Sequence, residues 1–391
     1  MIDTIIYFTG VYDTLDLFTL KLKEAFEQMG YRSFIYDATM ERESKEALLA
    51  LLEEKRGGAA GVTFNNLGYN LTMPFTDENL WEYYEAPYIN ILMDHPFHYE
   101  KAMRRAPGMS VVLCVDRNHV KYIRRFHKNI ARTDFLPHAG VELQCRHKPL
   151  VDRGIDVLYA GALPIYTVAK MIPDLSAIPE VDGHKMAREV LHELVNHPET
   201  TTERALEEYL RAQRNDISER RLQEIIVEMR FLDSYATSFF REQAVRILAD
   251  SGIRVTAYGT GWDQCEWSGS PYLDYRGKVL APQILPLMNN SKIVLNTMTW
   301  FKAGSHDRVF NGMLAGAAVV TDDSSYMRQE FSDGKELVMF SLDDIKNLPE
   351  RVFELFGHMT KTQEMADLGY AGAKRRHTWE NRAEYIRECF L

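Results

Sequence analysis

Apolar and polar positions alternate in blocks along this chain, and the period of the pattern switches repeatedly. "TIIYFTG" (4–10) is a short apolar run closed by glycine, and "DLFTLKLKEAFEQMGY" (16–31) has apolar residues at helical spacing. "RSFIYDA" (32–38), "AAGVTFNN" (59–66), "APYINILMDHP" (86–96), "MSVVLCVD" (109–116) and "TDFLPHA" (133–139) read as further strands. "ESKEALLALLEEKRGG" (43–58) and "RNHVKYIRRFHK" (117–128) lie between them with helical spacing. Strands that alternate with helices predict a parallel sheet covered on both faces.

A second series starts at "GIDVLYAGAL" (154–163) and is interrupted by a charged, strongly helical stretch at about 184–250. It resumes with "GIRVTAYGTG" (252–261), "YLDYRGKV" (272–279), the helix "APQILPLMNNS" (281–291) and the strand "KIVLNTM" (292–298). "GSHDRVFNGMLAGAAVVTDDS" (304–324) then puts a compact polar cluster in front of a helix at 307–314 and a β-rich run. "KELVMF" (335–340) is a last strand, and 343–391 is helical. This pattern predicts an α/β protein with residues 1–150 as one Rossmann-like domain and 151–376 as a second. The second carries the helical insertion, and 377–391 forms a terminal helix that packs back on the first.

A length of 391 residues fits two cores better than one. The formal net charge of −10 argues against general nucleic-acid binding, which draws its affinity from phosphate neutralisation. The basic runs "KYIRRFHK" (121–128) and "AKRRH" (373–377) read as solvated helix faces. Four scattered cysteines form neither a disulfide framework nor a zinc site. The first residues lack the basic and apolar regions of a signal peptide, and no apolar run approaches the ~20 residues of a membrane span. A reduced, cytoplasmic protein is the expectation.

Ligands of open parallel sheets bind beyond the carboxyl ends of the strands. The tips here carry Gly10 and Asp13, Asn65 and Asn66, Asp94 and His95, Gly161, and Gly259 and Gly261. Asp94 and His95 form a carboxylate–imidazole pair at a strand tip closed by Pro96, and either can act as a general base. Asp13 and His306 are rival candidates; capping by Asp94 and simple packing of His95 are the structural alternatives. "YGTGW" (258–262) lacks the third glycine of a dinucleotide fingerprint. Arg308 in the first turn of a helix opposes the helix dipole, so it calls for an anion or an acid such as Asp307 beside it. No His, Cys or acid spacing supports a metal site.

These residues resemble the GT-B glycosyltransferases, and among them the spore-maturation-protein-like branch. The resemblance rests on Tyr258–Trp262, Gly277–Val279, Ile293–Asn296, Ser305–Arg308 and Ala315–Asp322 in order, with "PYINILMDHP" and "FLPHA" in the first half. It implies two Rossmann-like domains facing a cleft. It also implies a nucleotide-sugar donor, used without a metal or resident cofactor, and a protein or glycan acceptor. Gly304, Ser305 and His306 would offer backbone N–H groups to the diphosphate, and Arg308 would neutralise the leaving group. Val279 and Leu280 would contact the base, Gly161 would let the sheet edge approach the phosphates, and Gly259 and Gly261 would form the turn beside them. Two glutamates common in such enzymes are replaced by Ala303 and Asn311. Asn311 can still hydrogen-bond a ribose, and the change favours inverting chemistry with Asp94 or His95 as base.

Two other readings stay open. A sugar-nucleotide epimerase would need no acceptor. A non-catalytic glycosylation scaffold would use the helical insertion to dock a partner.

Overall fold

The structure is a computed structural model that describes residues 2–164, 172–213 and 216–391. The chain divides into two compact units. The first comprises Met1–Val141, Leu280–Pro282 and Arg376–Leu391, and the second Glu142–Val279 and Gln283–Arg375.

The first unit is built on β1 (Thr4–Thr9), β2 (Arg32–Asp37), β3 (Ala59–Phe64), β4 (Tyr88–Leu92), β5 (Ser110–Cys114) and β6 (Arg132–Phe135). They pair in the order β2-β1-β3-β4-β5-β6, with every pairing parallel. The central strands β3, β4 and β5 are buried along their whole length, as the unbroken apolar runs require. The helix Asp13–Gln28 starts three residues before the apolar spacing, because Asp13 and Asp16 suit the positive end of its dipole. The terminal helix Trp379–Phe390 belongs to this unit. Trp379 packs against Phe18 at 5.0 Å and Phe64 at 5.4 Å, and Arg382 donates to the carbonyls of Pro137 and His138.

The second unit contains β7 (Ile155–Ala160), β8 (Val255–Tyr258), β9 (Leu273–Tyr275), β10 (Ser291–Asn296), β11 (Ala318–Asp322) and β12 (Val338–Phe340). Its order is β12-β11-β10-β7-β8-β9, again all parallel. β10 and β7 are neighbours at the centre, with Val294 opposite Leu158. The stretch expected to be helical is formed by Gly183–Asn196, Thr202–Gln213, Glu219–Glu228 and Phe231–Asp250, and 214–215 lie outside the described residues. The last of these helices is not a solvated appendage. Phe240, Ala244, Val245 and Leu248 join the core on which β7, β8, β10 and β11 pack.

Candidate active site

The tip of β7 is the centre of the candidate site in the second unit. Its next residues, Gly161 to Leu163, run against the turn after β8. Gly161 N–H donates to Tyr258 O at 2.8 Å, Leu163 N–H to Thr260 O at 2.8 Å, and Trp262 Nε1 to Gly161 O at 2.8 Å. The two backbones touch so closely that side chains are excluded. A Cβ on Gly259 (φ +126°) would stand 2.5 Å from the Gly161 carbonyl carbon, and one on Gly261 (φ +96°) 2.2 Å from Leu163 O. The "YGTGW" glycines are therefore required by strand-tip packing. Gly161 itself faces Arg308: a Cβ there would lie 3.0 Å from Nη2.

Arg308 enters from the helix Asp307–Leu314, whose bounds match the sequence expectation. His306 caps this helix, its Nδ1 accepting the Arg308 N–H at 3.2 Å, and the same nitrogen lies 2.8 Å from Asp307 Oδ1. Burial and the neighbouring Arg308 push the imidazole below its ordinary pKa, which favours the neutral ring that can cap. Arg308 is 7 % exposed; its Nη1 donates to the buried Asn296 Oδ1 at 2.5 Å, and its guanidinium lies 5.3 Å from the Tyr159 ring centre. Asp307 does not pair with it: its Oδ2 accepts from Asn311 Nδ2 at 2.9 Å and its Oδ1 lies 2.8 Å from His306 Nδ1.

A second guanidinium, which the sequence reading did not single out, lies beside it. Arg241, also 7 % exposed, comes from the helix Phe231–Asp250, donates to Ala162 O and sits 5.3 Å from the Trp300 ring centre. Its pKa is lowered, first by burial and further by Arg308. Among the described residues neither arginine has a carboxylate within ion-pair distance. The acid that Arg241 senses at longer range is Asp322, which is 1 % exposed and pushed up to about 7 by burial, although Met298 N–H donates to it at 2.7 Å. Half-protonated near neutrality, it is a poor counterion. Two buried cations side by side are costly unless an anion joins them.

The loop in front of the helix completes this region. Gly304 O accepts from Ser324 Oγ at 2.6 Å, which fixes the loop against the tip of β11. Ser305 is fully buried, and its hydroxyl has no hydrogen-bond partner among the described residues. Val279 is half-buried in the second unit, whereas Leu280 is assigned to the first and is 47 % exposed. Asn311 is buried, and Ala303 offers no polar group. Among the described residues no group of three or more His, Cys, Asp or Glu side chains can hold a metal ion.

In the first unit, the tips of β3 and β4 hold Asp94 firmly. Asn65 and Asn66 both adopt left-handed backbone (φ 46° and 65°), a conformation that asparagine tolerates better than most residues. Asn66 exchanges hydrogen bonds with Asn90, at 2.9 and 2.8 Å. Asn65 accepts from Met93 N–H at 2.9 Å and donates to Asp94 Oδ2 at 3.1 Å. Tyr99 OH also donates to Asp94 Oδ2, at 2.8 Å, and burial together with the carboxylate raises its pKa. Both donors go to one oxygen of Asp94. His95 takes another course. It is 5 % exposed, caps the following turn through Phe97 N–H at 3.2 Å and stacks on the Phe97 ring at 3.7 Å. Burial drives its pKa well below the usual range. Asp13 is exposed, and its Oδ2 accepts the Ala281 N–H at 2.8 Å.

Residues 238–388 match a sequence-family profile described as glycosyl transferase-like. No curated protein sequence matches the chain. The fold is similar to that of sucrose-phosphate synthase from Thermosynechococcus elongatus, with a TM-score of 0.56 and 10 % identity over 99 % of this chain and 98 % of that one. It is similar to Anabaena HepE, solved in complex with UDP and glucose, with a TM-score of 0.52 and 10 % identity over the full length of both. An alpha-glucosyltransferase solved with UDP and a 13-mer DNA containing an HMU base gives 0.56 and 9 % identity over 99 % of each chain. The two six-stranded parallel sheets are thus those of the GT-B fold.

Proposed function

We propose that this chain is a nucleotide-sugar-dependent glycosyltransferase of the spore-maturation-protein-like branch, which transfers a sugar to a protein or glycan acceptor without a metal. One observation carries the reading: Arg241 and Arg308 are buried together at the strand tips with no carboxylate partner among the described residues. A diphosphate supplies the missing negative charge; its two phosphates match the two guanidiniums in number, and a guanidinium can bind a phosphate in bidentate fashion. The glycosyl transferase-like match spans both arginines, and two structures with this fold were solved with UDP.

In this reading Asp94 takes the proton from the acceptor hydroxyl. The freed oxygen attacks the anomeric carbon, and the bond from that carbon to the diphosphate oxygen breaks. The leaving charge settles on Arg241 and Arg308, the task a divalent cation performs in other transferases. The buried Ser305 hydroxyl, with the N–H groups of Gly304 to His306, faces the same phosphates, and Asn311 serves the ribose. The turn at Gly259 to Trp262 and the segment at Val279 and Leu280 serve the base.

Thermal-shift titration with UDP, GDP, CDP and dTDP, with and without magnesium, tests this. At a hundred times its Kd a ligand adds about 2.7 kcal/mol of stability. One nucleotide should raise Tm equally with and without magnesium, and the rise should shrink markedly in Arg308→Ala. No shift with any of the four refutes the reading.

A further inference from the structure

The first unit has a groove of about 350 Å3 between the end of the helix Arg117–Phe126, the turn that follows and the edge strand β6. That volume lies within the range of small-ligand pockets. Its floor is apolar, formed by Ile123, Ile130 and Phe390, and its rim carries Arg124, Lys128 and Arg132. Ile123, Arg124, His127 and Lys128 come from the run "KYIRRFHK", for which a solvated helix face is the simple expectation.

The contacts argue against that expectation. Arg124 Nη2 donates to Thr133 O at 3.2 Å, and Arg132 Nη2 donates to Cys389 O at 3.0 Å while its guanidinium lies 4.5 Å from the Phe390 ring centre. Each bond holds a guanidinium in place and leaves most of its five N–H donors available. Lys128 donates to Arg124 O. The negative end of the helix dipole accounts for a cation such as Lys128, but Arg132 stands on a strand. Lys21, Lys23, Arg42, Lys55 and Arg104 of this unit each have a carboxylate within 4.0 Å. Arg124, Lys128 and Arg132 have none among the described residues, and the nearby Asp134 accepts from Tyr385 OH at 2.9 Å. Asp134 lines the same groove, so Arg124, Lys128 and Arg132 leave a local excess of positive charge over one carboxylate, on a chain whose net charge is −10.

We infer that this groove binds a phosphate-bearing ligand, with the phosphate on Arg124, Lys128 and Arg132 and an apolar portion on Ile123, Ile130 and Phe390. It shares no residue with the donor loop, and the inference stands whether or not the chain transfers sugar. The phosphate can belong to a soluble phosphoester or to a lipid headgroup.

The test is calorimetric titration of the full chain with phenyl phosphate, in an Arg308→Gln background that weakens the donor site. Binding should persist in that background and weaken by about tenfold or more when Arg124→Gln, Lys128→Gln and Arg132→Gln are added. The single variant Arg132→Gln gives a smaller loss and serves if the triple fails to fold. Co-sedimentation with phosphatidylcholine vesicles, with and without phosphatidic acid, separates the two sources. Binding only to the acidic vesicles, lost in the variants, assigns a lipid phosphate; phenyl phosphate binding without vesicle binding assigns a soluble one. If neither probe binds in a way that depends on these residues, the inference is overturned.

Discussion

Arg308 is tethered by a neutral partner, Asn296, whose Oδ1 accepts from Nη1 at 2.5 Å. The amide positions the guanidinium without spending its charge, so that charge stays available to an incoming anion. Replacing Arg308 or Arg241 with glutamine should weaken nucleoside diphosphate binding by about ten- to a hundredfold, the loss of a charge-assisted hydrogen bond. Calorimetric titration reads this directly. Unchanged affinity in both variants means that the two cations serve only the fold.

Asp94 and His95 make separate sets of contacts, and the proposed reaction uses only Asp94. Asp94→Asn keeps the shape that Asn65 and Tyr99 hold, so nucleotide binding should persist while turnover falls by about 10²–10⁴-fold. His95→Ala should instead cost about 1 kcal/mol or more of stability through the lost cap, with turnover per folded molecule retained. A rate collapse in His95→Ala at unchanged stability reverses this assignment.

Gly259 tests the glycine turn as architecture. Alanine there must accept both a left-handed backbone and a 2.5 Å approach to Gly161. A cost of about 1–3 kcal/mol follows, visible as a fall of several degrees in Tm. A variant that melts like the wild type refutes the close packing.

Asp322 predicts a pH signature. Its folded-state pKa of about 7 exceeds the ordinary 3.8, so between those values the folded chain holds a proton that the unfolded chain has released. That proton stabilises the fold at low pH, and the contribution declines as pH rises toward 7, by up to about 1.4 kcal/mol per pH unit. Asp322→Asn should flatten this part of the stability curve measured by denaturant titration. An unchanged slope shows that Asp322 ionises normally.

The helix Asp307–Leu314 and the strands other than β9 were legible because strand and helix periods differ and because glycines or polar tips punctuate them. Arg308 was legible too, since a cation in a first helical turn contradicts local electrostatics. Arg241 was not singled out. Its signal is a lone charge on the buried stripe of Thr237, Phe240, Ala244, Val245 and Leu248, and only the packing shows which stripe is buried. The separation of Asp94 from His95 depends on the left-handed backbone of Asn65 and the position of Tyr99, neither of which a linear pattern encodes.

Arg241 reaches the tip of β7 from the helix that closes the long insertion, and this has a thermodynamic consequence. If that helix lends binding free energy to an anion at the site, the anion returns the same free energy to the helix, because coupling between two equilibria is reciprocal. A bound nucleotide must then slow amide exchange along Phe231–Asp250, far beyond the one side chain it touches.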